Sequence, residues 1–261
     1  MRKMIIIMIL LPFFIQSCSK ENRFETLYQI GDSETLCSES SASLHASLSE
    51  DALYWKIISS WNLSQSSDAS SAAELYLMLY PESNHNHKIM AERAVLFLSR
   101  DVEKSIYAGK ELFASGAIGK TGATKLYELL VKHSDPFASD VFAFLRPLLS
   151  TTEYAYLMVD TEADSETIIL ALEAMYIESG KSALYGEILN EAIFLLKERG
   201  DGAEIRDFAL ETAPEDDAEL SMTIGDLLYS LSEYEEASTY WEKGREISPE
   251  GYRIRMRLLG R

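Results

Sequence analysis

The chain has 261 residues, with 42 Asp and Glu against 24 Lys and Arg and a net charge of −18. Apolar residues make up 47%, enough to bury a sizeable core. Thirteen Gly and six Pro are too few for an all-β chain that turns about every ten residues, and two Cys exclude a disulfide scaffold or a Cys-rich zinc module. The acidic balance argues against nucleic acid as the main ligand, because phosphate binding needs clustered cations.

The chain opens with Arg2 and Lys3, followed by an uncharged run from Met4 to Ile15. A bilayer span needs about 20 apolar residues, so this run is too short and reads instead as a secretory signal. The next residues are Ile15-Gln16-Ser17-Cys18. They resemble the lipobox of bacterial lipoproteins, with an aliphatic residue, a small residue and then Cys, although Gln16 is bulkier than usual. The resemblance implies cleavage before Cys18, lipidation of Cys18, and a membrane-tethered protein of the bacterial cell envelope. Cleavage would remove two cations and take the net charge from −18 to −20. Cys37 is then the one remaining thiol, and its polar surroundings assign it no role.

Between Asp32 and Ser71 stand fourteen serines in forty residues. Residues 18–48 read as a lipidated Cys and a Ser-rich tether, with 24–30 able to form a short docked helix. Beyond Ser49 the spacing of three and four dominates. Tyr54, Ile58 and Trp61 share a face, as do Met90, Ala94 and Phe97, Ile168, Leu172 and Met175, and Ile188, Ala192 and Leu195. The breaks at 81–83, 116–122, 134–136, 180 and 200–202 are short, which makes successive helices antiparallel neighbours. The expected fold class is all-α, an α-solenoid of antiparallel helix hairpins.

Near the C-terminus, Ile224-Gly225, Tyr234, Ala237, Trp241, Gly244 and Pro249 resemble the tetratricopeptide repeat, a 34-residue helix pair. Leu228 stands where Tyr is usual, and Ser232 where Gly is commoner. The resemblance places the clearest unit at 218–251, within a repeat region 150–251. An earlier unit near 184 matches less well, and the repeats degenerate toward the N-terminus. The stretch 49–149 is a helical-hairpin region, and 252–261 is a basic C-terminal segment. Arg253, Arg255, Arg257 and Arg261 in that segment fit a final capping helix or a contact with anionic lipid or an acidic partner.

In this family the first helix of a unit lines a concave surface. The resemblance therefore implies that Glu219, Met222, Asp226 and Tyr229 contact a protein or peptide partner. Met222 and Asp226 replace the residues that some members use to hold a carboxylate terminus, so basic or apolar segments suit this groove better. The expected function is a protein–protein interaction scaffold or adaptor. The rival readings are a structural subunit of an envelope machine (outer-membrane assembly, peptidoglycan remodelling or solute capture) and a small-molecule-binding helical domain.

Three further motifs resemble chemistry. The segment Ala114 to Thr121 fits a loosened phosphate-loop pattern, and Asp160 follows an apolar run 40 residues later. The loop needs a preceding strand, yet residues 106–113 read as helix. Asp160, Glu162, Asp164 and Glu166 alternate like a calcium loop, but Ser165 and Ala171 stand where Gly and Glu are needed. His85 and His87 follow Pro81, on what reads as a solvated loop without a third strong ligand. No catalytic residue, metal or cofactor is expected.

Overall fold

The structure is a computed structural model that describes residues 23–258. The described residues form fifteen helices and no strand, in two compact units divided between Leu145 and Arg146. Among them no helix is long and apolar enough to cross a membrane. The lipobox and Cys18 lie outside the described residues.

The first unit holds α1 (residues 23–29), α2 (Ser33–Ala46), α3 (Glu50–Asn62), α4 (Ser66–Leu79), α5 (His85–Leu98), α6 (Val102–Ala114), α7 (Lys120–Lys132) and α8 (Ala138–Leu145). Each helix from α2 to α7 packs on the next, and α5 also touches α3 and α7. Leu53, Ile57, Ala73, Tyr76, Ala91, Ala94, Val95 and Ala108 form one core. Phe24, Leu27 and Leu36 make a second, smaller cluster against Trp55.

The described part of the expected tether is therefore folded. Residues 23–29 and Ser33–Ala46 are helical, and Phe24, Leu27 and Leu36 are buried. Serine hides the helical pattern because it serves as a small seam residue here. Ser40, Ser59 and Ser60 are fully buried. Ser40 and Ser41 each donate to the Cys37 carbonyl, and Ser59 donates to that of Lys56. A hydroxyl that bonds back to its own helix needs no outside partner, so a helix can present serine to a neighbour at little cost.

The second unit opens with a 3-10 turn (Arg146–Leu148). It continues with α9 (Thr151–Asp160), α10 (Ser165–Ser179), α11 (Ala183–Arg199), α12 (Gly202–Thr212), α13 (Ala218–Ser230), α14 (Tyr234–Ile247) and α15 (Pro249–Leu258). The helices pair as α9–α10, α11–α12 and α13–α14, while α11 packs on both α9 and α13. The pairs begin at Thr151, Ala183 and Ala218, close to steps of about 34 residues. This is a repeat-like series of helix pairs.

One turn recurs throughout the chain. Seven helices (α1, α3, α6, α7, α9, α11 and α13) end in a residue with positive φ: Gly31, Ser64, Gly116, Ser134, Glu162, Gly200 and Ser232. Each time, the following amide bonds back to the carbonyl five residues earlier, as Gln65 does to Ser60 and Glu233 to Leu228, both at 2.9 Å. The positive-φ residue's own amide bonds to the carbonyl three residues earlier. This paired pattern satisfies carbonyls of the last turn, and two to five residues separate each of these helices from the next. Only three of the seven positions are Gly, so residue type conceals the turn.

The starts are equally regular. Asp32, Ser49, Asp101, Ser150, Asp164, Ser182 and Asp217 each accept an amide hydrogen from the first turn of the helix they cap. One boundary differs from the pattern reading. Gly122 belongs to α7, buried against Ile118 and Leu96, and is not part of the preceding turn.

The α13–α14 pair shows why small residues are required at its seam. A Cβ on Gly225 would lie 2.4 Å from Trp241 Cδ1, and one on Gly244 would lie 2.6 Å from Met222 Cγ. Two substitutions should therefore act in opposite directions. Ser232→Gly relieves a left-handed residue at φ +68° and should stabilise the chain by about 0.5–1 kcal/mol. Gly225→Ala drives a methyl into the indole and should destabilise it by about 1–3 kcal/mol. Urea denaturation of the two variants beside the parent protein checks both signs.

Candidate functional site

In the second unit a cavity of about 750 Å³ lies where the start of α13 meets the end of α14 and α15. Its lip carries Asp216, Asp217 and Glu219, with Lys181 and Arg255 as the cations of the lining, Arg255 being paired with Asp226. Its walls are apolar, made by Met222, Ile247 and Ile254. Asp217 is fixed by its capping role, since its Oδ1 accepts from the Leu220 amide at 2.9 Å. Ile247 and Ile254 are 42% and 53% exposed, so the walls are open to a ligand.

The four residues expected to meet a partner divide in two. Glu219 stands exposed at the lip of the cavity, and Tyr229 is 42% exposed on the same helix. Met222 is buried, wedged over Gly244 with its methyl near Gly251. Asp226 is covered. Arg255 from α15 donates to Asp226 Oδ2 from Nε at 3.0 Å and from Nη2 at 2.8 Å, while Trp241 donates to Oδ1 at 2.9 Å. Arg255 Nη2 also reaches the Thr223 hydroxyl at 2.9 Å. In this structure α15 lies over both Met222 and Asp226, so of the four residues Glu219 and Tyr229 are the exposed ones. The reason is electrostatic, because a carboxylate facing out of an apolar seam needs a cation and the basic C-terminal segment supplies one.

Tyr229 belongs to an aromatic corner. Its ring centroid is 5.1 Å from that of Tyr234 and 5.5 Å from that of Trp241. Edge and tilted contacts of this kind hold the α13–α14 pair in register. The sequence pattern missed Ile247, Ile254 and Asp216, whose roles exist only where α14 and α15 converge. The one local hint was Ile254, an apolar residue within an arginine-rich segment.

The remaining motifs have local explanations. Residues 106–113 lie in α6, so a helix stands where a phosphate loop requires a strand. Asp164 caps α10 by accepting from Thr167, and the Thr167 amide and hydroxyl hold its carboxyl below the usual range. His85 and His87 are not on a loop but in the first turn of α5. His87 stacks on Tyr54 at 3.8 Å, with Nδ1 3.8 Å from Glu50 Oε1. Among the described residues no group of three or more His, Cys, Asp and Glu is placed to hold a metal ion.

Cys37 and Glu92 are among the buried groups that titrate away from their ordinary values. Burial pushes the Cys37 thiol up, but the Lys56 ammonium at 3.2 Å and the Ser60 hydroxyl outweigh it, and the net direction is down. Glu92, 4% exposed in α5, is pushed up by burial and by the Glu111 carboxylate against the opposing pull of Lys88.

A scan of protein-family models and a search of curated protein sequences each find no match to this chain.

Two predictions follow from these environments. Asp226→Ala leaves Arg255 and the Trp241 N–H facing an apolar seam; it should cost about 2–3 kcal/mol and make α15 sensitive to trypsin. Limited proteolysis with intact-mass readout checks this, and an α15 as resistant as in the parent would refute it. The protonated form of Glu92 contributes stability that is fully present below the ordinary Glu value and is lost as pH rises through its raised value. Glu92→Gln should therefore raise Tm at pH 7, and the gain should shrink toward pH 4. Melts across that range check the sign.

Proposed function

We propose that this chain is a membrane-tethered, exported helical-repeat protein of tetratricopeptide type that docks a basic and apolar segment of another protein. Its last hairpins would stack as a solenoid, with the cavity beside α13 as the docking site. The observation that carries the reading is the composition of that cavity. Asp216, Asp217 and Glu219 line it together with the exposed Ile247 and Ile254, and of its two cations Arg255 is already paired with Asp226. An apolar side chain flanked by Lys or Arg meets both halves of that surface.

The repeat-like series of helix pairs supports the scaffold half of the reading. The close approach of Gly225 to Ala237 supports the tetratricopeptide half, because the resemblance has small residues at both positions. The tether rests on the Ile15 to Cys18 motif alone. Lipid on Cys18 would contribute about 0.8 kcal/mol per buried CH₂ and hold the protein at the envelope membrane. The site has no role for a metal or cofactor in this reading, and its chemistry is recognition.

Each half has its own test. Cells grown with an alkyne fatty acid should label the parent protein and not Cys18→Ala; equal labelling of both ends the anchor reading. A photo-crosslinking residue at Glu219 or Ile254 should give a discrete adduct in intact cells, whereas the same residue at exposed Glu187 should not. Identical patterns at all three positions would remove the cavity from the docking role.

A further inference from the structure

The first unit carries a second surface, on helices the repeat reading does not use. Between α4 and α6, over α5, runs a groove of about 810 Å³. Its floor is Val95 and Ala108, both buried in the core of the unit. Its sides are Leu75 and Met78 from α4 and Tyr107 from α6. Met78 is 69% exposed and Tyr107 66%, so large apolar groups stand in water on both banks. Exposed apolar surface concentrated in a groove marks an interaction site more than scattered residues do. Methionine adds a side chain that adapts its shape to what lies against it.

Charge defines the kind of occupant. Lys104 Nζ bridges the banks to Glu74 Oε2 at 2.6 Å and is neutralised there, with Asp101 also within 3.6 Å. Glu103, one turn before Tyr107, is exposed and pairs with no cation among the described residues. The groove is thus apolar in its depth and net negative at its edge. A second copy of this chain is a poor occupant, because each copy carries −18. An acidic partner is repelled for the same reason.

We propose that the groove between α4 and α6 docks an amphipathic helix of a partner protein, apolar on one face and flanked by Lys or Arg that meet Glu103. A channel between two helices above a third has the shape of a missing helix, and a helix fills it with side chains at i, i+3, i+4 and i+7. This surface belongs to the first unit alone and stands or falls independently of the cavity beside α13.

The test uses the full chain in a neutral detergent with two labelled 18-residue synthetic helices. One peptide alternates Leu and Lys at amphipathic spacing, and the other has Glu in place of Lys. Fluorescence anisotropy reads binding, and any partitioning of peptide into micelles is common to every protein variant. The parent should bind the Leu–Lys peptide at least tenfold more tightly than the Leu–Glu peptide. Met78→Glu with Tyr107→Glu should lose at least tenfold in Leu–Lys binding, although it makes the protein more acidic. Met78→Ser with Tyr107→Ser, which leaves the charge unchanged, should lose it too. Glu103→Lys should narrow the preference between the peptides. Undiminished binding by the Glu pair would show general charge attraction and overturn the proposal. So would equal binding of both peptides, or a parent dimer in sedimentation velocity that the Ser pair dissolves.

Discussion

The architecture depends on ending a helix within a few residues while its last turn keeps hydrogen-bond partners. Seven helices solve this in the same way, with a left-handed residue and two amides that bond back into the last turn. A reversal that short obliges the next helix to lie against the one before it. The repetition of helix pairs therefore resides in the backbone turn, which recurs in both units even where the side chains differ. Serine and glutamate tolerate the left-handed conformation at a modest cost, and packing of the two helices outweighs it.

Close packing is the second condition, and small residues meet it differently in the two units. In the first unit, alanine and serine line the seams, as at Ala69, Ala72 and Ala73 of α4, and the serine hydroxyls bond to their own helix. In the second, Gly225 and Gly244 admit Trp241 and Met222 at distances that exclude a Cβ. Buried polar groups then connect neighbours. Tyr185, fully buried, donates to Thr212 at 2.6 Å and links α11 to α12, and burial pushes its hydroxyl up to about 12.

The last helix shows how the acidic balance of the chain is managed at one point. Asp226 faces an apolar seam and would be costly alone, so Arg255 and Trp241 satisfy both of its oxygens. Arg255 thereby ties the terminal helix α15 to α13. By covering Asp226 and Met222, α15 shifts the accessible surface of α13 to its ends, at Glu219 and Tyr229. Ile254 from the same helix then becomes a wall of the cavity, so one element both closes a surface and creates one.

The amino-acid pattern determined the all-helical class, five of the breaks between helices and the C-terminal hairpin, because spacing of three and four and a small-large pair are local signals. It did not reveal that residues 23–46 are folded, since serine carries no hydrophobic signal even when fully buried. It placed His85 and His87 outside a helix, because Pro81 marks a break and the capping by Asn84 is easily overlooked. Which of Glu219, Met222, Asp226 and Tyr229 remain accessible was decided by tertiary structure alone. Exposure depends on what packs against a residue, and the group that covers Asp226 lies twenty-nine positions further along the chain. Spacing within one helix reports the face a residue occupies, and only the folded chain reports what that face meets.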